Sequence, residues 1–300
     1  MTGSSAAWAA DRLRAAPIEP VGRFADASNA TLLVRLCDRD QPALEDLAAQ
    51  LGRQPGLEDL PAADLAVYKP MRGEAPLWDF PVGTLHRREV AAHEIAVALG
   101  WDLVPLTVLR EDGPYGPGSL QRFVAHDPGL HYFRLLETGV ADVIEQLRRM
   151  VVFDLVIDNA DRKAGHVLLA DERRDAAPAV ADRRPAPSFA SDELPGPRAG
   201  VPVGEQVAGN VQVVDHGVAL NVDHKLRTVA WEFAGEPLPE GAVEALTGLA
   251  AGLDADVGER LATLLDDDEL AVLRARVERL IELPALPGPI GPRPYPWPPI

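Results

Sequence analysis

Apolar residues fall in short, strand-like runs up to about residue 127 and in longer runs of helical spacing beyond it. Residues 1–20 predict a short helix and a proline-punctuated entry. VGRFADASNATLLVRL predicts two strands around a turn-rich centre, Asp26 to Asn29, and residues 38–64 predict a short helix and a loop. In DLAVYKP, Leu65 and Val67 alternate with Ala66 and Tyr68 until Pro70 stops the run, which predicts a strand with Lys69 at its end. After a loop, TLHRREVAAHEIAVALG sets Val90, Ala91, Ile95, Ala98 and Leu99 at helical spacing, closed by Gly100. LVPLTVLRED and GPYGPGSLQRFVAHD predict two further strands joined by a Gly/Pro turn.

The second half reads differently. ADVIEQLRRMVVFDLVIDN predicts a long helix that grows more apolar, and so more buried, toward its end. HVLLA and VQVVD are short strands on either side of residues 171–210, a Pro-, Ala-, Arg- and Gly-rich surface insertion. Helices follow near 241–252, 255–265 and 267–282. The pattern divides the chain into an N-terminal extension (1–20), a small β-rich lobe with one helix (21–127), a mainly helical lobe (128–283) and a proline-rich tail (284–300) expected outside the core. The fold class is α+β.

Composition narrows the function classes. A net charge of −17 disfavours nucleic acid and anionic lipid as partners. Cys37 is the only cysteine, so an intramolecular disulfide and a cysteine-built zinc site are excluded, and a reducing cytoplasmic setting is expected. The N-terminus lacks the pattern of a secretory signal, and no apolar run reaches the roughly 18 residues of a membrane span.

The chemistry concentrates in FDLVIDNADRKAGHVLLADE, where Asp158-Asn159-Ala160-Asp161-Arg162 and His166 interrupt two apolar runs. Asp158 and Asn159 read as cap and loop residues, and Asp154, inside the apolar run, needs a buried partner such as Arg162 or backbone amides. If the strands flanking the insertion pair as a hairpin, His166 at the base of one approaches Asp215 at the end of the other. A carboxylate with a second ligand beside a phosphate chain is how phosphoryl transferases hold magnesium or manganese, and Asp161 would face them as proton acceptor or orienting group. His166 can equally be a structural histidine bonded to the loop backbone. Lys69 would meet nucleotide phosphates; five positions keep Glu89 and Glu94 from both pointing inward, and Glu89 is preferred as its carboxylate partner because it sits a turn before the most apolar part of the helix. Glu89 also reads as a solvated residue paired with Arg87 or Arg88.

The order Lys69, Glu89, NADRKAGH, VVDHG resembles the atypical kinases of the phosphatidylinositol 3/4-kinase-like and HipA-like type, above all an uncharacterised actinobacterial phosphatidylinositol 3/4-kinase-like family. The resemblance covers roughly residues 21–235 and implies a two-lobed protein-kinase-like fold. It implies ATP and a divalent metal, Mg or Mn, as cofactors. Asp161 matches the catalytic aspartate and Arg162 the arginine after it, Asp215 the metal-binding aspartate and Lys69 the nucleotide lysine. His166 stands where the second metal ligand, asparagine, is expected, Lys163 where the loop histidine stands, and His216 where phenylalanine stands. ADASNAT would cover the phosphates with its amides and the hydroxyls of Ser28 and Thr31, and adenine would lie against Gln121, Phe123 and Val124.

The expected activity is phosphoryl transfer from ATP to a protein or small-molecule hydroxyl. The alternatives are a nucleotide-binding pseudokinase acting through a partner, or a nucleotidyltransferase on the same fold. A metal-dependent hydrolase built from Asp161, His166, Asp215 and His216 would leave Lys69 without a role. Trp78, Trp101 and Trp231 are expected as packing anchors, and HKLR, residues 224–227, as a solvated turn or a contact to phosphate or acidic substrate.

Overall fold

A computed structural model describes residues 3–24, 29–37, 41–170, 208–289 and 291–300. Ser28 and residues 171–207, nearly all of the predicted insertion, lie outside the described residues. The first lobe is built from helix α1 (Gly3–Ala15), strands β1 (Ile18–Arg23) and β2 (Leu32–Leu36), helix α2 (Leu44–Leu51), strand β3 (Leu65–Pro70), helix α3 (Leu85–Ala98), and strands β4 (Thr107–Gly113) and β5 (Gly116–Arg122). The five strands form one antiparallel sheet in the order β1-β2-β3-β5-β4.

Strand alternation sorts the side chains of this sheet into two jobs. On one face Val34, Leu36, Ala66, Tyr68, Val108 and Leu120 pack with Leu13 of α1. Arg110, also on this face, donates from Nη1 to the carbonyls of Leu13 and Ala16 and so satisfies the end of α1. The opposite face carries Val67 and Lys69, which pair with Gln121 and Ser119, and it meets α3. On the Tyr68 and Leu120 face, opposite Pro70, Gly118 is needed because a Cβ at that position would stand 2.5 Å from the Lys69 carbonyl. Since α1 covers the sheet and β1 begins at Ile18, residues 3–20 belong to the first lobe rather than extending from it.

The second lobe contains α4 (Tyr132–Thr138), α5 (Ala141–Ile157), β6 (Val167–Ala170), β7 (Asn210–Val213), α6 (Ala242–Leu253), α7 (Asp256–Leu261) and α8 (Asp267–Ile281). Met150 to Ile157 are all buried, as an apolar run without a polar face requires. The predicted hairpin forms, with Val167 opposite Val213 and Ala170 opposite Asn210. One core joins α3, α5, the hairpin and α6–α8, so the helix of the first lobe is packed into the second.

Two more expectations change. Residues 284–300 do not stay outside the core. Leu286 is buried within it, the Gly235 N–H donates to its carbonyl and its own N–H donates to the Glu236 carbonyl. Burial of a leucine stabilises by about 1.5–3 kcal/mol, enough to seat the start of the tail. Proline spacing predicts extended backbone but carries no information about what that backbone docks on. Trp78 is not a packing anchor: it is 93% exposed, with the Lys225 ammonium 5.1 Å from its ring centre. Trp101 and Trp231 do pack against the core.

Candidate active site between the lobes

Strand β3 projects Lys69 into the cleft, where its Nζ donates to the Glu89 carboxylate on α3 and, at 2.9 Å, to Oδ1 of Asp215 beyond β7. Burial opposes the ammonium charge, but Asp215 and Glu89 outweigh it and hold Lys69 above the ordinary lysine range. The same ammonium, working against burial, holds Asp215 well below the usual carboxylate range. Glu94 is elsewhere, paired with Arg260 at 2.8 Å.

Glu89 does more than meet Lys69. Its Oε2 accepts from the His216 N–H at 3.0 Å and its Oε1 from the Gly217 N–H at 3.1 Å. The neighbouring Arg88, fully buried, donates from Nη1 to the carbonyls of Ala219 and Leu220, both at 2.9 Å, and from Nη2 to Glu269. Adjacent residues of α3 thus present an anion to the amides of the 215–220 loop and a cation to its carbonyls. This clamp holds a loop in which Asp215 and Leu220 both adopt positive φ (63° and 61°). Sequence reasoning missed Arg88, treating it only as a solvated partner for Glu89. Glu269 lies 181 positions away, so no local signal marks the pair.

The loop after α5 is fastened at nearly every residue. Asp158, in left-handed conformation, accepts from the Lys225 N–H and meets His224 Nδ1 at 2.7 Å. Asn159 donates to Asp154 and accepts from the Asp161 N–H. Arg162, completely buried, donates from Nε and Nη2 to Asp154 and from Nη1 to the Val214 carbonyl. It therefore ties the loop to β7 instead of facing the cleft, and the catalytic place given it by the motif becomes a positioning one. HKLR is not a free basic patch: His224 meets Asp158, and Lys225 pairs with Asp79 at 2.8 Å.

Asp161 is left partly open. Burial raises its pKa, while Lys163, whose Nζ is 3.2 Å from Oδ2, pulls it back. His166 Nε2 lies 3.4 Å from Asp215 Oδ2. Burial lowers the His166 pKa to about 4 against the pull of Asp215, so near pH 7 the ring is neutral and keeps a lone pair. An ionised carboxylate and a neutral imidazole at this separation suit a divalent cation. No group of three or more His, Cys, Asp or Glu gathers among the described residues, so a cation here would take its other ligands from phosphate and water.

The remaining sequence-predicted residues are less available. The Gln121 side chain is buried and donates to Thr107 Oγ1 at 2.8 Å. The Phe123 N–H is bonded to the Leu65 carbonyl, and the Val124 carbonyl meets His126 Nδ1 at 2.8 Å. Among the described residues Thr31 Oγ1 reaches its own loop, at Asn29 O.

Four histidines predict the acid behaviour. His93, His131, His166 and His216 all have pKa values lowered by burial. The unfolded chain protonates them near pH 6.5 and the folded chain only at lower pH, so stability is full above pH 6.5 and falls as pH drops below it. The slope approaches about 1.4 kcal/mol per pH unit for each histidine. Urea midpoints measured from pH 7.5 to 5 should fall accordingly; a flat profile would contradict neutral burial.

No family model matches the chain. Over 310 aligned residues it is 36% identical to Protein Rv2133c of Mycobacterium tuberculosis, covering 93% of this chain and 90% of that protein. Among solved structures, the golgi casein kinase superposes with a TM-score of 0.51 at 13% identity, covering 94% of this chain and 74% of that one. The Helicobacter pylori proinflammatory kinase CtkA gives a TM-score of 0.43 at 13% identity, covering 90% and 98%. The likeness to the golgi enzyme shows a two-lobed, kinase-like α+β fold.

Proposed function

This chain belongs to the family of Protein Rv2133c of Mycobacterium tuberculosis, and from its fold and site we propose that it is an ATP-dependent phosphotransferase acting on a protein or small-molecule hydroxyl. The observation that carries the reading is the Lys69 ammonium shared between Glu89 and Asp215, with Asp161 on the neighbouring loop. The kinase-like fold and the motif order of the phosphatidylinositol 3/4-kinase-like group support it.

In this reading Lys69 binds the α- and β-phosphates of ATP, oriented by Glu89. Asp215 and His166 would hold a Mg or Mn ion, which would supply charge neutralisation on the phosphates. Asp161 accepts the proton of the acceptor hydroxyl as that oxygen bonds to the γ-phosphorus and the bond to the β,γ-bridging oxygen breaks, leaving ADP. Its raised pKa makes it a better proton acceptor than an exposed aspartate. Arg162 and the Arg88–Glu89 clamp keep Asp161 and Asp215 in place without touching substrate.

Thermal unfolding with ATP and either metal tests this directly. Wild type at 100 times Kd should gain about 2.7 kcal/mol, only with metal present, and Asp215→Ala should gain none. Absence of any metal-dependent gain in wild type would end the proposal.

A further inference from the structure

Resting on that phosphotransferase reading, we infer that the edge formed by Lys163, Arg227 and the C-terminal tail beside Asp161 is a docking site for an acidic peptide segment. Two cations flank the catalytic carboxylate. Lys163 is paired with it at 3.2 Å. The backbone of Arg227 is laced to the same loop, its N–H donating to Asn159 O at 2.9 Å and its carbonyl accepting from the Arg162 N–H at 3.0 Å. The Arg227 side chain has no ion-pair partner among the described residues, yet it is near enough to help lower the Asp161 pKa.

The tail completes the edge. The Pro294 carbonyl accepts from the Thr228 N–H and from Trp231 Nε1, both at 3.0 Å, and the Pro299 carbonyl accepts from the Ala164 N–H at 2.9 Å. Residues 294–299 therefore run from the neighbour of Arg227 to the neighbour of Lys163. Between these anchors Tyr295 is 55% exposed and Trp297 is 87% exposed. Folding drives the tail backbone onto the loop and leaves its two aromatic rings in water.

Charge and shape together select the occupant. The chain carries 46 acidic and 29 basic side chains, so two cations beside the acceptor group invert the prevailing sign locally. A guanidinium fork matches a carboxylate side chain, and exposed Tyr and Trp offer rigid faces for an extended backbone. Anionic membranes are disfavoured by the overall charge.

The test uses the full chain and a fluorescein-labelled peptide in which a serine is flanked by glutamates, followed by anisotropy without nucleotide. A second peptide carries lysines in place of the glutamates, and anionic phosphatidylserine vesicles form a third arm. The glutamate peptide should bind at least about 10-fold more tightly than the lysine peptide, weaken with salt, and lose about 10-fold in affinity with Arg227→Glu. The exposed pair Tyr295→Ala/Trp297→Ala, which leaves the tail carbonyls in place, should lose several-fold even if the Arg227 variant fails to fold. Equal binding of both peptides, unchanged affinity in the variants, or preference for vesicles would overturn the inference. Thermal shifts with ATP and metal on the same preparations separate the two ideas. Peptide binding without a nucleotide shift leaves the docking edge standing and sinks phosphotransfer; a nucleotide shift without peptide binding does the reverse.

Discussion

Asp161→Asn should reduce phosphoryl transfer about 10²–10⁴-fold while leaving metal-dependent ATP stabilisation in place. Asparagine keeps the shape and the bond to Asn159, because it is the Asp161 backbone N–H that donates to Asn159 Oδ1. What it loses is the ability to take the acceptor proton, together with the ion pair to Lys163. Wild-type activity should also fall on acidification, as Asp161 becomes protonated, at a pH above the usual aspartate range because burial raises its pKa. Transfer of labelled phosphate, measured beside the thermal shift, distinguishes this from a defect in nucleotide binding. A variant that loses the thermal shift as severely as transfer would show that Asp161 holds the nucleotide site together and is no proton acceptor.

Arg162→Met should cost about 3–5 kcal/mol of stability, the largest structural effect expected of any single substitution here. The guanidinium and Asp154 are both almost completely shielded, at 0% and 1% side-chain exposure, so removing the cation strands a buried anion. The Val214 carbonyl loses its partner as well. Combining Arg162→Met with Asp154→Leu should recover much of the loss, because no charge is then left in the core. Asn159, which donates to Asp154, limits that recovery. Urea midpoints of the two single variants and the double variant measure the coupling; a loss under 1 kcal/mol in Arg162→Met would remove the positioning role assigned to this arginine.

These two residues illustrate how legibility varied. The Asp161-Arg162 dipeptide is conspicuous in sequence because charge interrupts an apolar helix before another apolar run. Its partition into one residue that faces the cleft and one that faces the core is not, since neighbouring loop residues have no fixed period. The buried Asp154 announced that it needed a partner, and Arg162, eight positions on, is within reach of local reasoning. Arg88 was not, because its partners at Ala219, Leu220 and Glu269 come from a distant stretch of chain.

By itself the sequence determined the elements and their order: a strand ending in Lys69, a helix carrying Glu89, a buried helix ending before Asp161, and a hairpin bringing His166 to Asp215. Hydrophobic period and turn residues act over a few positions, and these features are local. Only the tertiary structure decided that α3 clamps the 215–220 loop with adjacent opposite charges, that the proline-rich tail docks on the loop after α5, and that Trp78 and Trp297 remain in water. Each of those outcomes depends on backbone donors and acceptors left over once the elements are packed. Which groups are left over is a property of the assembled chain and not of any segment of it.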